Sequence, residues 1–237
     1  MKTASVSKPA ITSGGIVNAA SFQSGITPGA WLTIFGQNLA TASHALTSAE
    51  LVNGNLPVTL SGVSVKINNQ AAFLTYVSPT QLNIQAPADT SLGSVPVTIT
   101  NAAGTPDVTI ATLAAEMPGL FKIGNYAAAV RADGTVVSGT IAAKPGDIIS
   151  LYGTGFGASN PAVAPGVLIQ TAVPLTSAVT VTIGGVNAQV AFAGLSAAGL
   201  NQINVTVPAV NSGDVEVIAQ VNGVRTQAGA LLKVGSA

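Results

Sequence analysis

The sequence contains no cysteine, one histidine, one tryptophan and few charges, with eight Lys and Arg balancing eight Asp and Glu in 237 residues. Without cysteine there are no disulfides, no thiolate metal sites and no cysteine nucleophile. The formal net charge is zero and neither sign clusters. No basic patch is therefore available to neutralise phosphates or meet anionic lipid, which argues against a nucleic-acid partner. The charged share is 7%, against about 25% in ordinary domains. A surface of Ser, Thr, Asn, Gln and Gly offers little repulsion between copies, so self-association is the first functional expectation. No stretch approaches the roughly 18 apolar residues of a membrane span, and no membrane insertion is expected. The opening MKTASVSKPAITSGG lacks the apolar core of a signal peptide; if exported, the sequence is expected to be a mature chain or an excised piece.

What is abundant is Ala, Val, Ile and Leu: hydrophobic residues make up 48% and aromatics only 4%, and the mean hydropathy is +0.55. Disorder requires low hydrophobicity with high net charge, the opposite of this composition. The length allows two domains, each with its own core.

An internal repeat organises the chain. GAWLTIFG at 29–36 matches GDIISLYG at 146–153, with a proline before each. VSVKI at 63–67 matches VTVTI at 179–183, QLNIQAP at 81–87 matches QINVTVP at 202–208, and VPVTI at 95–99 matches VEVIA at 215–219. These segments alternate apolar and polar residues with period two, the signature of half-buried strands. Turn residues punctuate them, and no segment has a helical period. The pattern predicts an all-β protein of two tandem immunoglobulin-like β-sandwich domains. The expected boundaries are an extended N-terminal segment at 1–12, a first sandwich at 13–116 and a second at 117–237. The seam falls at the Pro118-Gly119 turn, and so short a linker predicts a fixed arrangement of the two.

Several segments carry a resemblance: GIVNAAS at 15–21, IFGQNL at 34–39, VSPTQLN at 77–83, PGLF at 118–121 and GTGFG at 153–157. Together they resemble the Solibacter-type C-terminal domain, a tandem immunoglobulin-like module similar to IPT/TIG domains and found in secreted proteins of soil bacteria. The resemblance covers nearly the whole chain from about Pro9. It implies export, an extracellular or cell-surface location, and a structural role without catalytic residues.

Residue chemistry points the same way. His44, the sole histidine, lies in a loop and is read as solvated rather than catalytic. GTGFG at 153–157 precedes no helix, so it is read as a turn and not a phosphate loop. The aspartates are singletons, and no cofactor or metal is expected. Trp31, Tyr76 and Tyr152 align with apolar residues of the other repeat and are read as core, which weakens a glycan platform; Tyr126 has no such counterpart.

Four amides, Gln81 with Asn83 and Gln202 with Asn204, stand at matching positions and are read as structural, bonding backbone at loops or edges. Loops 37–56 and 154–173 have equal length and unrelated sequences, so they are paired candidate binding loops, with His44, Glu50, Asn160 and Gln170 as their polar residues. The N-terminal segment, through Ala4, Val6 and Ala10, is a candidate assembly strand adding to the sheet edge of another copy. The functional expectation is a non-enzymatic structural module of the cell surface or extracellular matrix that self-assembles into fibres by strand addition. The alternative is a module that binds a surface glycan or a protein through the two loops.

Overall fold

A computed structural model describes residues 7–104 and 107–236. It is all β; the helical element among them is a single 3-10 turn, Ser48–Glu50. Nine strands build the first half: β1 (Ala10–Asn18), β2 (Trp31–Gln37), β3 (His44–Ala45), β4 (Ser64–Ile67), β5 (Gln70–Ala71), β6 (Phe73–Val77), β7 (Gln81–Gln85), β8 (Gly93–Thr100) and β9 (Asp107–Leu113). One sheet runs β1-β2-β7-β6-β3 and the facing sheet β5-β4-β8-β9.

The second half opens with β10 (Gly119–Leu120), β11 (Lys122–Ile123), β12 (Tyr126–Ala127), β13 (Ala129–Arg131) and β14 (Val136–Val137). Then come β15 (Ile148–Thr154), β16 (Val173–Pro174), β17 (Val179–Ile183), β18 (Val186–Ala197) and β19 (Leu200–Thr206). It closes with β20 (Gly213–Val221), β21 (Val224–Arg225) and β22 (Leu231–Val234). Here the two layers are joined through β18, which pairs with β17 over residues 186–188 and with β19 beyond. The corresponding stretch of the first half is split into β5 and β6 around the buried Ala72.

Period-two alternation decides what each strand buries. In β7, Leu82 and Ile84 are buried while Gln81 and Asn83 face outward; in β19, Ile203 and Val205 are buried while Gln202 and Asn204 face outward. The inward side chains form two separate cores, one from Ile16 to Leu113 and one from Leu120 to Val234. Ile34 and Leu82 lie in the first, Leu151 and Ile203 in the second. Full burial of such a side chain contributes about 1.5–3 kcal/mol, so each core stabilises its own sandwich.

Ala4 and Val6 lie outside the described residues. Ala10 opens β1 and pairs with Gln37 of the same chain, so the extended segment ends earlier than the expected residue 12 and Ala10 is already used in-chain.

Candidate functional site

The two sandwiches meet through buried polar contacts. Thr154, at the end of β15, is completely buried. Its hydroxyl accepts the Trp31 backbone N–H at 2.9 Å and donates to the Gly199 carbonyl at 2.7 Å. The Trp31 indole N–H donates to the Ala198 carbonyl at 2.7 Å. Trp31 therefore sits at the junction rather than in the core, because β2 turns it outward from its sheet toward the β18–β19 turn. Gly199 has φ +63°, and a Cβ there would press on the indole nitrogen.

A second junction lies at the outward end of β7. Gln85, 3% exposed, donates to the Gly29 carbonyl at 2.9 Å and accepts the Gly166 N–H at 2.8 Å. Gly166 returns its carbonyl to Leu56 N–H at 2.8 Å. Its φ of +84° and the Phe73 ring lying where a Cβ would project leave glycine the fitting residue. A third contact is Asn18, 1% exposed, which donates to the Met117 carbonyl at 2.8 Å and accepts from Ala20 and Ser21. Buried amides and hydroxyls that keep their partners hold a geometry, since each partner lost costs about 1–3 kcal/mol.

Between these junctions lies a cleft of about 470 Å³. One wall comes from residues 28–30, 88–90 and 92, the other from residues 155, 157–159 and 162–165 with Leu195, Ala198 and Asn201. Its lining is mostly Ala, Gly, Pro and Leu, with no aromatic residue. Two polar groups stand out. Asp89, 6% exposed, accepts Ser91 N–H and the Asn68 amide, both at 2.8 Å. Those bonds, Ser91 first, hold its carboxyl below the usual aspartate range. Asn201, 2% exposed, has a side-chain nitrogen with no hydrogen-bond partner among the described residues.

The candidate loops are equal in length but not in use. Loop 154–173 is wedged against the first sandwich through Gly166 and lines the cleft with residues 155, 157–159 and 162–165; its Asn160 and Gln170 are exposed and line no part of it. In loop 37–56, the His44 ring nitrogen lies 2.8 and 3.0 Å from the two Glu50 oxygens. The Thr47 hydroxyl, the Thr47 N–H and His44 hold the Glu50 carboxyl below its ordinary value. His44 thus pins a 3-10 turn, and neither His44 nor Glu50 lines the cleft.

The structural amides take different partners from those expected. Gln81 donates to Asn83 at 2.9 Å and Thr33 Oγ1 donates to the same oxygen at 3.3 Å. Gln202 donates to Asn204 at 2.9 Å, which also accepts from Ser150 at 2.9 Å. The bonds run between side chains across an outward sheet face, because residues two apart on a strand share that face. Tyr126 donates to Asp214 at 3.2 Å and packs on Gly139. Thr154 and Gln85 are not marked out by the sequence; the available signal is a polar residue at the last position of its strand.

Residues 20–112 match the family description "IPT/TIG domain". The chain contains an IPT/TIG domain. No curated protein matches it in sequence. Among solved structures, SGBP-B of the Bacteroides ovatus mixed-linkage glucan utilization locus, in complex with a mixed-linkage heptasaccharide, is 13% identical with a TM-score of 0.37. That match covers 89% of this chain and 42% of that one. The surface glycan-binding protein PbSGBP-B from Prevotella bryantii is 12% identical with a TM-score of 0.30, covering 95% and 42%. Domains 5–6 of the S-layer protein SbsC are 9% identical with a TM-score of 0.31, covering 97% and 99%. The chain spans about two fifths of the length of the two glycan-binding proteins. At these scores the likenesses carry no argument about ligand or role.

Proposed function

We propose that this IPT/TIG-containing chain is a non-enzymatic structural module of the bacterial cell surface, made of two sandwiches, at 10–116 and 117–237, that act as one rigid spacer. The carrying observation is the junction at Thr154, where one buried hydroxyl bonds Trp31 of the first half and Gly199 of the second. Two domains joined only by a linker hinge freely; polar groups buried between them resist hinging, because opening exposes them singly before water repairs them.

Residual dipolar couplings from both halves of the weakly aligned protein test the spacer. One alignment tensor is expected to fit both halves, and two unequal tensors refute rigidity. Protease accessibility on intact cells that make the chain tests the surface location.

A second reading, favoured by the cleft alone, is a binding module. Its apolar walls and the unmet Asn201 amide fit a small neutral ligand that presents a hydrogen-bond acceptor, such as a carbonyl or ether oxygen. Filling the cleft with Ala162→Trp is expected to abolish binding while unfolding stays unchanged. Binding that instead follows exchange of loop 37–56 would move the site to that loop.

A further inference from the structure

The two halves follow one plan, and one departure from it leaves a sheet edge open. In the second half Leu120 pairs with Gly153 and Ala129 with Leu151; in the first, Ile11 pairs with Gly36 and Ile16 with Ile34. Between these matching anchors the second half has residues 121–128, and the first has only residues 12–15. The longer stretch forms the β11–β12 hairpin, and β12 runs parallel to β22. There the Asn125 carbonyl accepts the Leu231 N–H at 2.9 Å.

The position of Leu231 is held in the first half by Ile110. Leu231 faces Glu216 across its ladder, and Ile110 faces Pro96, which matches Glu216 in the repeat. The Pro96 carbonyl points toward β4, where it accepts Asn68 N–H at 2.8 Å. Backbone groups alternate sides along an antiparallel ladder, so Val108 and Ile110 turn their N–H and C=O away from β8. No described residue meets them. The C-terminal end of the edge is closed alike in both halves. Ile26 bonds Thr112 and Ala114 just as Ala143 bonds Lys233 and Gly235. What is missing is the hairpin, and a gap of about 170 Å³ lined by Gly14, Gly15 and residues 109–112 stands in its place. Val108 and Ile110 are 64% and 63% exposed.

We infer that this edge docks a second copy of the chain, the two β9 strands pairing antiparallel with Val108 of each copy opposite Ile110 of the other. The second half indicates that an uncharged strand completes such an edge. β9 is one from Val108 onward: residues 108–113 carry no charge and no proline, and the charge and the proline that could guard this edge, Asp107 and Pro106, stand before the 108–110 stretch that pairs. In this register the outward groups at 108 and 110 satisfy each other, and two β-branched cross-strand pairs form. Zero net charge lets two copies approach without repulsion. The donor is β9 and not the N-terminal segment.

Sedimentation equilibrium of the full chain, from micromolar to near-millimolar, tests the pairing. The comparison proteins are Ile110→Lys, Val108→Lys, the surface control Val186→Lys and a chain lacking residues 1–9, each first checked for folding by circular dichroism. Wild type, Val186→Lys and the shortened chain are expected to dimerise. Ile110→Lys and Val108→Lys are each expected to weaken the dimer about tenfold or more. Val108→Lys keeps the test decisive if Ile110→Lys does not fold. A wild type that stays monomeric throughout, a dimer unchanged by both lysines, or loss of the dimer with residues 1–9 overturns the proposal. So does a monomer that takes up an added neutral strand peptide, which would make the occupant another protein.

Discussion

Thr154→Val isolates the central contact of the junction. Valine has nearly the shape of threonine, so no cavity opens, and the change removes the hydroxyl alone. The Trp31 N–H and the Gly199 carbonyl, bonded at 2.9 and 2.7 Å in wild type, are left without their partner inside a site where Thr154 has no exposed surface. Each buried group so stranded costs about 1–3 kcal/mol. Trp31 is only partly buried and recovers some water, so the expected loss is about 3 kcal/mol. For a chain of this size that corresponds to a fall in Tm of about 6–12 °C. Trp31 is the sole tryptophan, so its fluorescence reports the junction while far-UV circular dichroism reports both sandwiches. Thr154→Ser, which keeps the hydroxyl and loses a methyl, is expected to cost about 1 kcal/mol. A valine variant as stable as the serine variant would refute the reasoning.

Two further substitutions follow from the same surfaces. Gly166→Ala places a Cβ at φ +84° and into the Phe73 ring, for an expected cost of about 2–4 kcal/mol in denaturant unfolding. Adding Phe73→Ala should return the steric part and leave the backbone part, and strictly additive effects would disprove the clash. Asp89 is held below the ordinary aspartate value by Ser91 and Asn68. Its stabilisation is therefore complete above about pH 4 and is lost as pH falls through the depressed native value. Tm against pH from neutral to strongly acid should show a smaller acid decline for Asp89→Asn, and parallel curves would count against the assignment.

Much of this was readable beforehand for a local reason. Strand alternation places every second residue inward, so Val63, Val65 and Ile67 announce a buried face, as do Val179, Val181 and Ile183. The repeat offset also survives into three dimensions: Ile26 and Ala143 close equivalent edges with equivalent bonds. The cleft was not readable. Loops 37–56 and 154–173 have the same length, yet of the two only the second lines the cleft. Trp31 aligns with the apolar Ile148, which predicts core packing, yet its indole bonds a carbonyl of the other half.

The sequence by itself determined the all-β class, the twofold repeat and the inward face of each strand, because those depend on periodicities of a few residues. Tertiary structure decided which outward residues became buried. Gln85 continues the polar face of Gln81 and Asn83 and differs from them only in being covered by Gly166, 81 residues later. It also decided which edge stayed open: residues 121–128 reach across to β22 and residues 12–15 fall short of β9. Both outcomes are set by contacts between distant segments, where no local pattern records the partner.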